Sequence, residues 1–265
     1  MSFLNILKMN RLFFIDIMGF GDAAGNNPEN FLLRELAFGY YNHEPIFCDY
    51  AGRVTPLLHV HYEIFKQHYD MHSSTSRSTK KLWMRQQATN LVPWCTQLPQ
   101  DYPRFVERQL RASDHLINVL LRDRPTVSLY PPGTTAYSSS CSSSVENQHE
   151  VTVIVYHGKA HKKQLLLRLF PCLANYSLIS LEELYNMFTP IPLAHIYSMP
   201  RMDTLIMNLQ TACPGVTCPS EWPHNKHFCA YIRVLAMQAQ ISKAFTYYYR
   251  GYYYPTGDAY LRIYN

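Results

Sequence analysis

Apolar positions recur along this chain with two different periods, and the switch between them separates strands from helices. Leu12 to Ile17 (Leu-Phe-Phe-Ile-Asp-Ile) is a short β-branched and aromatic run that ends at Gly19 and Gly21. It predicts a buried strand with one acid, Asp16, inside it. Past a Gly-, Asn- and Pro-rich turn from Gly21 to Pro28, Phe31 to Tyr41 and Pro45 to Tyr50 predict two more strands. The short Asn42-His43-Glu44 link between those two favours an antiparallel meander. From Leu57 to Tyr69 apolar and aromatic residues return at three- and four-residue steps, which predicts a helix. Ser73 to Lys81, with four Ser, two Thr and three bases, predicts a loop or linker. Tyr102 to Leu121 then places Phe105, Val106, Leu110, Leu116, Ile117, Leu120 and Leu121 on one face of a second helix.

The second half is more regular. Ser138 to Ser144, six Ser and one Cys after Pro131-Pro132-Gly133, predicts a solvent-facing loop. Val151 to Tyr156 (Val-Thr-Val-Ile-Val-Tyr) carries the strongest strand signal and belongs in the middle of a sheet. Gly158 breaks it, and Lys159 to Phe170 follows as a helix. Tyr176 to Ile179 predicts a short strand, and Ser180 with Glu183 three residues on makes a capping box for a helix from Leu181 to Phe188. The last helix starts near His224 and runs to about Phe245. A meander followed by alternating strand and helix is the element order of a ribonuclease H-like α/β domain, with a mixed central sheet whose first strands are antiparallel and whose faces are covered by helices. The whole chain, residues 1–265, reads as one such domain. Ser-rich insertions fall near residues 73–81 and 133–148, and a Tyr-rich tail covers residues 246–265.

Composition narrows the class. The 265 residues are 47% hydrophobic but only 16% charged, which excludes a disordered acidic protein and a long coiled coil. A net charge of +5 favours a polyanionic partner without requiring one. Lys8, Arg11 and Asp16 interrupt the apolar start, so no export signal is expected there. No apolar run approaches the ~20 residues that span a bilayer, and no membrane association is expected. Seven Cys without a secretion signal favour reduced thiols or metal ligands over disulfides, and so a cytoplasmic or nuclear location.

The densest chemistry lies between Cys213 and Cys229, where Cys213, Cys218, His224, His227 and Cys229 place three thiols and two imidazoles within 17 residues. Zinc wants about four soft or borderline ligands in a tetrahedron, and a turn feeding a helix can present Cys and His to one point. The spacing lacks a Cys-x-x-Cys knuckle, so from spacing alone loop thiols and a buried helical Cys229 account for it equally well. A phosphate-binding Gly-rich loop, a Gly-x-Ser-x-Gly elbow and a dinucleotide fingerprint are all missing; Gly19-Phe-Gly21 has no third Gly. His59-Val-His61 is a pair without a third ligand.

Phe13-Phe14-Ile15-Asp16-Ile17, then Phe31-Leu32-Leu33-Arg34-Glu35-Leu36, then the cluster ending Cys218, His224, Cys229-Ala230 resembles the maelstrom domain. Val153-Ile-Val-Tyr-His-Gly-Lys159 and Ile179-Ser-Leu-Glu-Glu-Leu184 resemble the central strand and the next unit of that family. The resemblance runs from about Leu12 to about Phe245 and lacks the high-mobility-group box that often precedes the domain. It is to stand-alone forms of the kind found in insects or viruses. It implies descent from DEDDh exonucleases, loss of their metal-binding carboxylates and a structural Glu-Cys-His-Cys zinc site. Carried over, that site is Glu35, Cys218, His224 and Cys229, with His227 and Cys213 as alternates. The exonuclease Asp-x-Glu reads Asp16-Ile17-Met18 here, and His with Asp five residues later reads His224 and Cys229. A thioether and a thiol are poor partners for a hard cation, so no Mg²⁺ pair is expected.

The resemblance also implies single-stranded RNA binding, in small-RNA silencing or its antagonism, and in some members metal-independent RNA cleavage. For cleavage the local acid–base candidates are His157, Lys159 and His161, whose ordinary reading is a solvated basic helix start. A protein-interaction scaffold that kept the fold and lost the chemistry is the further alternative, with protein partners in place of RNA. Tyr247-Tyr248-Tyr249-Arg250-Gly251-Tyr252-Tyr253-Tyr254 is either an exposed platform for stacking bases or a packed strand or turn at the domain edge.

Overall fold

A computed structural model describes residues 10–21, 31–41, 60–65, 77–90, 102–122, 151–188, 199–220, 225 and 229–253. A five-stranded mixed sheet forms its centre. The strands are β1 (Asn10–Phe20), β2 (Leu32–Tyr40), β3 (His61–Ile64), β4 (Val151–Tyr156) and β5 (Ser177–Ser180), in the order β3-β2-β1-β4-β5. β1, β2 and β3 pair antiparallel, while β4 and β5 run parallel to β1. Helices α1 (Arg77–Asn90), α2 (Tyr102–Arg122), α3 (Ala160–Leu169), α4 (Leu181–Phe188), α5 (Met202–Ala212) and α6 (Ala230–Tyr253) surround it, and a 3₁₀ turn spans Pro171–Asn175.

Alternation along β1 sets the two layers. Phe13, Ile15 and Ile17 point to a core shared with Leu36 and Phe38 of β2, Ile117 and Leu121 of α2, and Leu165 and Leu166 of α3. Leu12 and Phe14 point the other way, into a core with Leu181 and Leu184 of α4, Leu205, Ile206 and Leu209 of α5, and Ile232, Val234, Leu235 and Ile241 of α6. A strand buried on both faces needs a continuous apolar run, as β1 and β4 have. Asp16 falls on the α6 side by parity and is fully buried. Between Met18 and Gly19 the pairing with β2 slips, and a side chain at Gly19 would meet the Leu32 carbonyl oxygen at 2.1 Å. Only glycine lets the two backbones approach that closely.

Several sequence expectations are corrected. The helix expected over residues 57–69 is the edge strand β3 where described, because the free edge of β2 offers backbone partners that a four-residue segment can take up. Its side chains alternate: His61 lies against the Phe38 ring at 4.7 Å on one face, and Tyr62 meets Tyr231 of α6 at 5.8 Å on the other. Helix α2 holds it from one side, with Ser113 donating to Glu63 Oε2 at 2.6 Å and Gln109 to Glu63 Oε1 at 2.8 Å. The loop expected over residues 73–81 turns helical at Arg77, and Trp83 anchors α1 by donating to the Gly21 carbonyl at 2.7 Å. Helix α5 went unread although Leu205, Ile206 and Leu209 give it an apolar face. The last helix begins at Ala230, not near His224, and continues through Tyr253, so Tyr247 to Tyr253 are helical backbone and neither strand nor turn.

Most other elements agree within one or two residues, while β1 runs three residues past the expected Ile17, to Phe20. The capping box forms in both directions: the Ser180 N–H donates to Glu183 Oε2 at 2.7 Å and the Glu183 N–H to Ser180 Oγ at 3.1 Å. Pro45 to Tyr50, the Ser-rich loop at residues 133–148 and the end of the tail lie outside the described residues. Among the described residues no helix is long and apolar enough to cross a membrane.

Candidate functional site

Two polar groups are built into the α6 side of the sheet, both at the start of α6. The first gathers expected zinc ligands. Glu35, buried on β2, accepts the Ala230 N–H at 2.9 Å through its Oε2. Ala230 is the first residue of α6, where unpaired N–H groups and the helix dipole favour a carboxylate. Cys229, fully buried just before the helix, accepts the Arg233 N–H at 3.0 Å through its carbonyl and pairs its thiol with that of Cys218. Tyr62 of β3 lies beside Cys218 and Cys229. Burial, reinforced by Cys218 and Glu35, pushes the Cys229 thiol far up; burial, Glu35 and the two cysteines do the same to the Tyr62 phenol. Both groups are neutral in the metal-free protein.

The fold thus brings Glu35 into one neighbourhood with Cys218 and Cys229 from far along the chain. His224 and His227 lie outside the described residues. Cys213 ends α5 and is buried in the apolar core, its N–H donating to the Leu209 carbonyl at 2.8 Å. Among the described residues no three His, Cys, Asp or Glu side chains converge closely enough to hold a metal ion as placed.

The second group surrounds Asp16. β1 and β4 run parallel with Phe14 beside Val155, so two residues further on Asp16 stands level with His157, just past the carboxyl end of β4. Here the chain turns through Gly158, whose φ of +133° suits glycine, and enters α3. From α3, Lys162 reaches back to ion-pair with Asp16 Oδ1 and donates to the Ile17 carbonyl at 2.7 Å. From α6, Arg233 Nε bonds Asp16 Oδ2 at 2.5 Å and its Nη2 lies 3.1 Å from His157 Nδ1. A guanidinium only donates, so Nδ1 accepts and the neutral imidazole carries its proton on Nε2.

Burial opposes ionisation of Asp16, but Arg233 and Lys162 outweigh it and hold the carboxyl below the usual range. Burial and the Arg233 charge depress His157. Burial also lowers Lys162, against the pull of Asp16. Of the acid–base candidates, His157 is therefore part of this cluster, while Lys159, just before α3, and His161, in its first turn, are exposed.

The partners of Asp16 were missed in the sequence because they lie far along the chain, Lys162 at 146 positions and Arg233 at 217. The available signal was a lone acid in an apolar strand, which must have a counter-charge. Comparison with protein-family profiles, curated proteins and solved structures finds no match to this chain.

Proposed function

We propose that this chain is a ribonuclease H-like domain of maelstrom type, catalytically degenerate, that binds single-stranded RNA in small-RNA silencing or its antagonism. The observation that carries the reading is the occupation of Asp16. A two-metal nuclease keeps its first-strand acid open to divalent cations. Here both oxygens of that acid are taken by Lys162 and Arg233, and Met18 stands where a second carboxylate is expected. The sheet order, antiparallel then parallel, is compatible with the proposed fold. The net charge of +5 suits a nucleic-acid partner. Metal-independent cleavage has weaker support, because the structure leaves only His157 among charged groups and turns its Nδ1 toward Arg233.

A structural zinc ion belongs to the same reading, held by Glu35, Cys218, His224 and Cys229, with His227 and Cys213 as alternate ligands. Two adjacent thiols beside a buried carboxylate form a soft, acidic donor set that suits zinc and not Mg²⁺. Zinc would displace the thiol protons and supply cross-linking stability without catalysis. Glu35 and Cys229 would then fix β2 to the start of α6. The test of function is salt-dependent binding of a labelled single-stranded oligoribonucleotide with chelator present. Binding that weakens steeply with salt is expected, whereas no binding at low salt would leave the scaffold alternative.

A further inference from the structure

We propose that the outward face of α1 is the surface along which the RNA backbone lies, with its phosphates held by Arg77, Lys81 and Arg85. The inference deepens the RNA-binding reading and rests on it for the ligand. Helix α1 carries Arg77, Lys80, Lys81 and Arg85 and no acid among its 14 residues, a local charge of +4. The whole chain sums to +5, which leaves +1 for all the rest, so the positive field is concentrated on this helix. Arg77, Lys81 and Arg85 recur every four residues and all three are exposed, so they line one side of the helix. Thr79 and Trp83, also four apart, are buried on the opposite side. Trp83 donates its indole N–H to the Gly21 carbonyl, just past β1, at 2.7 Å, which fixes the helix and with it the direction the cations face.

This placement of charge does not serve the helix itself. Arg77 and Lys80 stand in the first turn, where the helix dipole favours anions, and the last turn, where cations would help, has no base. Arg77 with Lys81, and Lys81 with Arg85, are like charges one turn apart and repel each other. No acid within the helix offsets them, whereas on α2 Arg111 is bonded to Glu107 four residues back at 2.5 Å. A face that only keeps a protein in solution mixes the two signs. A face of one sign, held at a cost to its own helix, fits a polyanionic partner. Four residues of helix rise about 6 Å, close to the separation of successive phosphates on an extended strand. Met84, 51% exposed, lies on the same side and offers an unpaired base an apolar surface beside the cations.

The experiment measures binding of a labelled oligouridylate to the full chain, in chelator, over a range of salt. Each phosphate contact on a single strand contributes about 0.7 to the slope of log K against log salt. Replacing Arg77, Lys81 and Arg85 together by Gln should therefore flatten that slope by about 2 and weaken binding roughly hundredfold at about 0.1 M salt. Lys81→Gln alone should weaken it about fivefold under the same conditions. All three side chains are exposed, so the urea midpoint should be no lower than wild type. A charge-matched control replaces Arg108, Arg111 and Arg122 of α2, which are also exposed, by Gln and should leave the slope unchanged. Equal loss in the two triple variants, or loss in neither, overturns the α1 surface and leaves RNA binding standing. If the wild-type chain binds no oligouridylate but binds a polyglutamate peptide that the α1 variant releases, the proposal and the RNA reading fall together and the face belongs to an acidic protein. Binding of neither probe overturns both.

Discussion

Replacing Asp16 by Asn is expected to cost about 3 to 5 kcal/mol of folding stability, the range for removing one partner of a buried ion pair. The carboxylate is fully buried, and it answers two cations whose side chains are 13% exposed, so solvent screens the cluster little. At an effective dielectric of ~20, unit charges ~3 Å apart attract by about 5 kcal/mol. Two such attractions offset the desolvation of three groups and the repulsion between Lys162 and Arg233. Asparagine keeps the shape but leaves that repulsion and both desolvation costs uncompensated. Urea unfolding at pH 7 should show a lower midpoint with an unchanged slope, the sign of lost stability and not altered compactness. The pH profile gives an independent check. Asp16 is held below its ordinary value of 3.8, so its contribution is full above that pH and is lost as pH falls through the folded-state value. The acid limb of the wild-type curve should therefore flatten in Asp16→Asn. A loss under ~1 kcal/mol, with the limb intact, would show that water reaches the cluster and that the carboxylate is not what orders the cations.

Three further outcomes are expected. Metal analysis of purified protein should find one zinc per chain, absent after joint Cys218→Ser and Cys229→Ser substitution; no zinc, or zinc retained by the double variant, refutes the ligand set. Gly19→Ala should destabilise by about 1 to 3 kcal/mol, because its Cβ would lie 2.1 Å from the Leu32 carbonyl oxygen and one strand must shift; a urea midpoint equal to wild type would contradict the tight β1–β2 approach. His157 is depressed in the fold, so the unfolded chain takes up its proton first and stability should fall as pH drops below about 6.5, down to the folded-state value; a stability profile between pH 7 and 5 identical in His157→Gln would remove it from that slope.

What the sequence disclosed follows from how far each determinant lies along the chain. Local patterns were legible: the alternation of β1, the β-branched run of β4 and the Ser180–Glu183 box each lie within a few residues and became the expected elements. β3 misled because Tyr62 and Ile64 on one face and His61 and Glu63 on the other span only four residues, too few to tell period two from three or four, and pairing with β2 decides the outcome. At Arg77 a polar Ser- and Thr-rich start hid a helix whose docking depends on Trp83 and the distant Gly21 carbonyl. Glu35, Cys218 and Cys229 lie in one neighbourhood, and no composition or spacing pointed to Tyr62 beside them. Least legible was the Asp16 cluster, since its charges come from β1, α3 and α6.

These two polar groups together explain how the last helix finds its place. Asp16 and Glu35 sit on the same face of adjacent strands, and the register that pairs Asp16 with Ala37 makes them diagonal neighbours. Their partners on α6, the Ala230 N–H and the Arg233 guanidinium, are three residues apart, about one helical turn. Two acids on the sheet therefore match two donors on the helix, and sliding α6 by a residue would break both bonds and strand both buried carboxylates. Apolar packing tolerates small slips; charged hydrogen bonds in a dry interior do not. Asp16 is thus committed to setting the register of a helix more than 200 residues away, as the separation of 217 residues shows. Placing a carboxylate at Met18 would not open Asp16 to a metal ion, because Asp16 would still be shared between Lys162 and Arg233.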